Sequence, residues 1–223
     1  MDGGGQVHAV DLLVSNEYGS VTLPRALYLL APNIPVVINE LTPNSADITG
    51  GNQITIKGSG LFESLGHIVL ESAFDAVTVE NIAQCDAEAT ECTFSMPPLP
   101  DIGWYDLTFG VYYSYENGHH QNTTVVKRAI KVMDGNRPII AELDIQSASI
   151  AGGAAVVVTG ENFDGVDRAY FGDIETTDVV VISATEVLVL VPPSTVEGLV
   201  RLSVQNADGK SNQLPFTYAA LSI

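Results

Sequence analysis

Two stretches of the chain carry the same letters in register: "ATECTFSMPP" at 89–98 and "ATEVLVLVPP" at 184–193. Ahead of each lies a second shared stretch, "ADITGGNQITIKGSGLF" at 46–62 and "ASIAGGAAVVVTGENF" at 148–163. A glycine pair suits a tight turn that needs positive φ, and a proline pair stops a strand from continuing its ladder. The repetition therefore indicates one architecture that occurs twice.

A third, partial copy begins the chain. Residues 5–19, "GQVHAVDLLVSNEYG", and 24–37, "PRALYLLAPNIPVV", align with "GLVRLSVQNADG" and "GWYDLTFGVYYSYENG" near the ends of the other copies. We therefore predict that residues 1–31 are the closing hairpin of a preceding repeat, and that residues 32–135 and 136–223 are two complete repeats. A two-stranded hairpin is marginally stable in water. We expect residues 1–31 to dock on the neighbouring unit or to take part in homo-assembly with another chain.

Helical periodicity is nearly absent, and short β-rich runs alternate with Gly, Pro, Asn and Asp. In the last repeat the predicted strands are 139–145, 155–160, 168–172, 179–183, 186–191, 199–205 and 214–218. Seven strands in fewer than about a hundred residues are typical of an immunoglobulin-like sandwich. The predicted fold class is all-β, with tandem immunoglobulin-like β-sandwiches.

The charge balance excludes several functions. The chain has 27 acidic and 9 basic residues, a net charge of −18. Nucleic-acid binding needs clustered Lys and Arg, and the densest basic patch is Lys127, Arg128 and Lys131, two of which we expect to face water. We therefore expect no nucleic-acid partner. No run approaches the length of about 18 apolar residues that a membrane span needs, so no membrane insertion is expected in this segment.

The combined motifs resemble the IPT/TIG domain, an early-set immunoglobulin-like sandwich. The resemblance rests on the openings from Pro35 and Pro138, the Gly-Gly stretches, the Pro-Pro pairs and the closing Phe216 and Tyr218. The middle repeat departs from the pattern, because "HHQNTTVVKRAIKVM" lacks the closing Phe-x-Tyr. The resemblance implies binding or spacing in an extracellular or cell-surface protein.

We expect a non-catalytic repeat module that acts through protein–protein contacts as a scaffold, adhesin or filament subunit. The alternatives are a receptor ectodomain segment that recognises a protein ligand and an accessory module of a carbohydrate-active enzyme. The sequence has no nucleophile elbow, no phosphate-binding loop and no dinucleotide-binding turn. We therefore predict no catalytic, cofactor-binding or metal-binding residues.

Cys85 and Cys92 are the only two cysteines. Cys92 begins an alternating strand whose buried face should include Phe94 and Met96, and a hairpin could bring Cys85 beside it. An even number of cysteines in a surface protein favours a disulfide over two reduced thiols. The bond would stabilise the fold by roughly 2–3 kcal/mol in the chain-entropy model.

Other residues suggest modification or ion binding. Asn122 begins an Asn-Thr-Thr glycosylation pattern, provided that the source glycosylates. His119 and His120 fit a solvated turn better than a metal site. The acidic stretch 161–173 and the residues "MDGN" at 133–136 could gather Ca²⁺, although an ordinary turn explains both.

Aromatic residues cluster between Trp104 and Tyr115. They could form a sugar-stacking or protein-binding face, but core packing and cross-strand pairs explain most of them. The end with Tyr112, Tyr113 and Tyr115 is the expected contact surface.

Overall fold

The computed structural model of the chain describes residues 8–29, 35–61, 66–79, 82–88, 90–115 and 118–220. Within these ranges the chain forms strands and turns and contains no helix. No described segment is therefore a helix that could cross a membrane.

The chain begins with an isolated antiparallel hairpin. Strand β1 (His8–Asn16) pairs with β2 (Gly19–Leu29), and the two form a sheet of their own. Side chains 11–24 are all exposed. The described side chains of the hairpin therefore do not dock on the neighbouring repeat within one chain, which was one of the two expected arrangements.

The middle of the chain is a sandwich of two sheets. One sheet has the order β3-β5-β9-β8 and the other the order β4-β11-β10-β6-β7. The strands are β3 (Val37–Thr42), β4 (Ser45–Asp47), β5 (Gln53–Ser59), β6 (Gly66–Glu71), β7 (Ala76–Val79), β8 (Ile82–Cys85), β9 (Glu91–Ser95), β10 (Gly103–Tyr115) and β11 (Gly118–Met133).

The last part of the chain is a second sandwich. Its sheets have the orders β12-β14-β18-β17 and β13-β21-β19-β15-β16, with β20 beside β19. The strands are β12 (Ile139–Leu143), β13 (Ser147–Ser149), β14 (Ala155–Glu161), β15 (Arg168–Phe171), β16 (Ile174–Thr176), β17 (Val179–Ser183), β18 (Glu186–Leu190), β19 (Gly198–Asn206), β20 (Gly209–Lys210) and β21 (Leu214–Ala219).

The two sandwiches have corresponding topologies. Each strand order of the first maps onto one of the second, and in both a short strand runs parallel to the closing strand: β4 beside β11 and β13 beside β21. The predicted all-β fold of tandem immunoglobulin-like sandwiches is confirmed. The seven strands predicted in the last repeat are all present, and the prediction missed β13, β16 and β20 because two or three residues are too short to show a period.

Each sandwich has its own apolar core. One cluster of buried side chains lies between residues 36 and 132, and the other between 140 and 218. In the first core Cys92, Phe94 and Met96 share the buried face of β9 and its extension, as their alternation predicts. In the second, Leu202 and Val204 of β19 are fully buried.

The Gly-Gly turn of each repeat packs on main chain beside the Pro-Pro pair. Gly51 N–H donates to the carbonyl of Met96 at 2.8 Å, and Gly153 N–H donates to Val191 at 2.9 Å. A Cβ on Gly152 would lie 2.7 Å from the nitrogen of Pro193. The Gly-Gly turn and the Pro-Pro segment, the two motifs that recur in the sequence, therefore contact each other in both repeats.

The first repeat also has a counterpart of the closing Phe-x-Tyr. Val132 in β11 pairs with Ala46 as Tyr218 in β21 pairs with Ala148. Ile130 and Val132 are fully buried, so aliphatic side chains fill these positions in the first repeat.

A buried tyrosine of the first repeat lies on the neighbouring strand β10 instead. Tyr105 is fully buried in β10, and its hydroxyl donates to the carbonyl of Asp101 at 3.0 Å. Tyr218 donates to the carbonyl of Pro192 at 2.9 Å. Burial raises the pKa of Tyr218 to about 12. In each repeat a buried tyrosine hydroxyl therefore bonds to the segment at the Pro-Pro pair. In the first repeat the acceptor is Asp101, just after the prolines, and in the second it is Pro192, the first of the two prolines.

We predict that Gly152→Ala destabilises the second repeat more than Gly153→Ala does. Both glycines have positive φ, 70° and 83°, so each alanine adds backbone strain of about 1–2 kcal/mol. Only the Cβ at 152 also meets main chain, since nothing lies within 4 Å of the Cβ position at 153. Overpacking adds about 1–3 kcal/mol. Urea unfolding of the full chain measures the difference, and equal losses would contradict the proposed contact.

Candidate functional site

The linker between the sandwiches is held against the second repeat. Asp134 and Arg137 form an ion pair at 3.0 Å, and Arg137 Nε donates to the carbonyl of Lys210 at 2.8 Å. The side-chain amide of Asn206 donates to the carbonyl of Asn136 at 3.1 Å, and that of Asn162 to Arg137 at 3.2 Å. Two amide side chains of the second repeat therefore hold the linker main chain, and the Arg137 side chain adds a third hydrogen bond.

Charged and aromatic side chains join the two repeats directly. Lys131 Nζ of the first repeat lies 2.8 Å from Glu161 Oε2 of the second. The guanidinium of Arg201 lies over the ring of Phe74, 4.2 Å from its centroid. A cation above an aromatic ring is attracted by the ring quadrupole, so these two pairs fix the repeats relative to each other.

Close packing completes the junction. Ile102 and Ile139 are each 1% exposed, yet neither belongs to the core of a sandwich. A Cβ on Gly103 would lie 2.9 Å from the side chain of Asn212. That side chain is held by two hydrogen bonds with the main chain of Ile140, at 2.6 and 2.9 Å. The backbone of the first repeat thus approaches a fixed side chain of the second.

A β-bulge shapes the face of the first repeat next to the junction. The pairing of β10 with β11 shifts between Tyr105 and Leu107. Asp106 accepts hydrogen bonds from Lys127 Nζ at 2.6 Å and from the N–H of Arg128 at 2.7 Å. The contact with Asp106 raises the pKa of Lys127. Arg128 takes a positive φ of 50°, and its guanidinium lies 4.9 Å from the centroid of Trp104.

Two clefts open on either side of Trp104 and Arg128. One has a volume of about 230 Å³ and lies against Asp101 and Gln213, and the other, of about 340 Å³, lies against Glu142 and Glu161. Burial raises the pKa of Asp101, while the hydrogen bond from Ile102 N–H and the charge of Arg137 act in the opposite direction. The arrangement offers an aromatic ring, hydrogen-bond donors and carboxylates in one concave region, which suits ligand binding.

The two cysteines form a disulfide, Cys85–Cys92. They are directly opposite each other on β8 and β9. Val181 and Val187 occupy the matching pair on β17 and β18 of the second repeat. The disulfide therefore ties down an edge strand that in the second repeat is held without a covalent bond.

Other predicted site residues are separate from the junction. Asn122 lies in β11 opposite Val111 and is partly buried, and its glycosylation stays a prediction. The side chains of Tyr112, Tyr113 and Tyr115, the predicted contact surface, lie outside the described residues. The side chains of His119 and His120 do so as well.

The acidic segments considered for Ca²⁺ hold protein cations instead. Glu161 pairs with Lys131, and Asp134 pairs with Arg137. In the described part of the chain, no three His, Cys, Asp or Glu side chains are grouped so that they could hold a metal ion. The prediction of no metal-binding residues, and calcium binding as its less favoured alternative, both stay untested.

The junction itself was not predicted from the sequence. Its one available signal was the basic group Lys127, Arg128 and Lys131. Lys127 and Arg128 are exposed, and Lys131 turns into the junction. Nothing in the local pattern indicates that Lys131 finds its partner in the next repeat.

Comparison with known proteins places the repeats in a family. The model of the IPT/TIG domain matches residues 35–126 and 138–218, more than half of the chain. No curated protein matches the chain.

Solved structures that match the chain include plexin A4 and two bacterial proteins. The extracellular region of plexin A4 is 16% identical with a TM-score of 0.33, over 82% of this chain and 18% of that one. SGBP-B from a xyloglucan utilization locus in Bacteroides uniformis is 19% identical with a TM-score of 0.31, over 82% and 49%. SGBP-B of the Bacteroides ovatus mixed-linkage glucan utilization locus, in complex with a heptasaccharide, is 18% identical with a TM-score of 0.41, over 85% and 49%.

The chain therefore spans about a fifth of the plexin chain, with 18% covered, and about half of each bacterial one, with 49% covered.

We predict that Gly103→Ala loosens the junction and that Gly198→Ala does not. The two glycines begin β10 and β19 and have similar φ, 115° and 122°. The Cβ at 103 would collide with Asn212, whereas nothing lies within 4 Å of the Cβ position at 198. Distances between spin labels on the two repeats should broaden for Gly103→Ala. An unchanged distribution would show that this approach does not hold the repeats together.

We predict that Cys85→Val/Cys92→Val lowers the stability of the first repeat by roughly 2–3 kcal/mol, because the unfolded chain loses a cross-link. Val181 and Val187 occupy the matching positions in the second repeat, so we expect the valine pair to pack on this edge strand without a clash. Denaturant unfolding with and without a reducing agent measures the effect. If the reductant destabilises the double variant as much as the unmodified chain, the disulfide is not the cause.

Proposed function

The chain belongs to the IPT/TIG domain family, and we propose that it is a non-catalytic part of an extracellular or cell-surface repeat protein. It acts through protein–protein contacts as a scaffold, adhesin or filament subunit. We assign residues 32–135 and 136–223 to two repeats and residues 1–31 to the closing hairpin of another. The disulfide supports an oxidising compartment.

The observation that carries this proposal is an uncovered apolar face on the N-terminal hairpin. Leu12 pairs with Leu23 and Val14 pairs with Val21, so the four side chains share one face. They are 37%, 47%, 50% and 55% exposed in the order Leu12, Leu23, Val14, Val21.

The same face is core in the second repeat. The turn of the hairpin has Tyr18 N–H bonded to Asn16 Oδ1 at 2.9 Å, and the turn after β19 has Asp208 N–H bonded to Asn206 Oδ1 at 2.9 Å. Asn16 pairs with Gly19 as Asn206 pairs with Gly209.

This correspondence aligns Val14 with Val204 and Leu12 with Leu202. Both residues of the second repeat are 0% exposed. The hairpin therefore presents a surface that the architecture buries wherever the repeat is complete.

We assign the cover of this face to a second copy of the chain. Leu12, Val14, Val21 and Leu23 carry no charge, so the net charge of −18 does not oppose contact at the face itself. A symmetric contact of two such faces removes apolar surface from water, at about 25 cal/mol per Å². Homo-assembly through residues 1–31 then links pairs of packed repeats.

We predict that Val14→Lys weakens self-association of the full chain and that Val196→Lys does not. Val196 is 69% exposed and lies in the loop between β18 and β19 of the second repeat, so Val196→Lys controls for the added charge. Sedimentation velocity over a concentration series should show reversible association of the unmodified chain, weakened about tenfold or more by Val14→Lys. A chain that stays monomeric throughout, or equal effects of the two variants, would contradict homo-assembly and would favour the receptor-segment alternative.

A further inference from the structure

The clefts on either side of Trp104 and Arg128 have no role in assembly through the hairpin. Both are lined by these two residues, and both lie between the repeats. The indole is partly buried, and its ring is reached from both clefts.

Arg128 has an unusual backbone conformation beside the clefts. Its φ of 50° is unusual for a residue other than glycine, and strained backbone of this kind clusters at functional sites. The bulge that holds it is fastened by Asp106. Although the chain has 27 acidic residues, the guanidinium forms no ion pair with any described residue. It lies over the indole and keeps its hydrogen-bond donors available.

The polar groups around the indole are mixed. Glu71, Asp75 and Asp101 supply carboxylate acceptors to the smaller cleft, and Gln213 supplies an amide. Among described residues, none accepts a hydrogen bond from the indole N–H of Trp104, and that nitrogen is not buried without a partner. A guanidinium, carboxylates and an amide beside one aromatic ring match a molecule that has many hydroxyl groups and an apolar face.

From this arrangement we propose that the junction clefts bind a neutral oligosaccharide, with a sugar ring against Trp104 and its hydroxyls hydrogen-bonded to Arg128 and the neighbouring carboxylates. The carboxylates disfavour an anionic sugar, because like charges would have to approach one another. The clefts also differ from a peptide-binding edge, which would present an unpaired strand. Here the walls are side chains of two repeats that already meet.

This proposal goes beyond the proposed function and is independent of assembly through the hairpin. It also explains why one partly buried tryptophan lies at the place where the two repeats form a concave surface.

The test uses the full chain and its own fluorescence, because Trp104 is the sole tryptophan. The probes are neutral hexasaccharides of β-1,4-glucose, β-1,3-glucose, β-1,4-xylose and β-1,4-mannose, with hexagalacturonate as the charged comparison. We expect a saturable change in Trp104 emission with at least one neutral probe and a weaker change with hexagalacturonate. Calorimetry with the same probe gives the dissociation constant.

Two variants separate binding from folding. Arg128→Gly removes the guanidinium and suits the positive φ, so it should keep the fold and weaken binding about fivefold or more. Trp104→Ala should weaken binding, by calorimetry, about tenfold or more. Leu199→Ala is the control, since Leu199 is the second residue of β19, as Trp104 is of β10, and is 67% exposed. It should leave binding unchanged.

Three results would overturn the proposal. The first is no response to any neutral probe at a concentration of about 5 mM, because a dissociation constant above that value would be too weak for a specific site. The second is binding that Arg128→Gly and Trp104→Ala leave unchanged. The third is tighter binding of hexagalacturonate than of every neutral probe. If the chain stays monomeric but still binds a neutral probe, homo-assembly through the hairpin is contradicted, and oligosaccharide binding in the clefts is supported.

Discussion

Each sandwich depends on a contact between main chains that leaves no room for a side chain. A Cβ on Gly50 would lie 2.5 Å from the carbonyl oxygen of Met96, and Gly152 has the corresponding position against the second Pro-Pro pair. The turn that carries the glycine follows the short parallel strand, and the prolines follow the strand that crosses the core. The contact joins a turn of one sheet to the end of a strand of the other, and therefore sets the distance between the two sheets at one end of each repeat.

The repeats keep this contact and differ in how they fill the rest of the core. The second packs Phe216 and Tyr218 of its closing strand with Phe171 of β15, at centroid distances of 5.0 to 6.1 Å. The first moves a tyrosine to the adjacent strand and ties its edge strand with a disulfide. Cores accept such exchanges when total volume and pattern are kept. At the polar junction the two repeats have different roles, because each contributes a different face of its sandwich to the contact.

The sequence predicted the fold, the main strands, the buried faces and the cysteine pair well, because these follow from local alternation and from a pattern that occurs twice. It did not predict that the closing strand of the first repeat has aliphatic residues, such as Ile130, where the second has Phe-x-Tyr. A search for Phe-x-Tyr cannot find this strand, because the buried tyrosine of the first repeat, Tyr105, lies in β10. Nor could it predict the contact of Phe74 with Arg201 or of Gly103 with Asn212. These residues lie in different repeats, and no period along the chain relates them. The bulge opposite Asp106 was equally hidden, because two extra residues in β11 leave the alternation along β10 unchanged.

The central claim is that one main-chain contact organises both sandwiches in the same way. Residue-resolved amide hydrogen exchange on the full chain tests it most directly, since protection reports the free energy of opening each hydrogen bond. The account predicts that the amides of Gly51 and Met96, and likewise those of Gly153 and Val191, exchange only when their whole repeat unfolds. Rapid exchange of these amides while the core strands stay protected would contradict it.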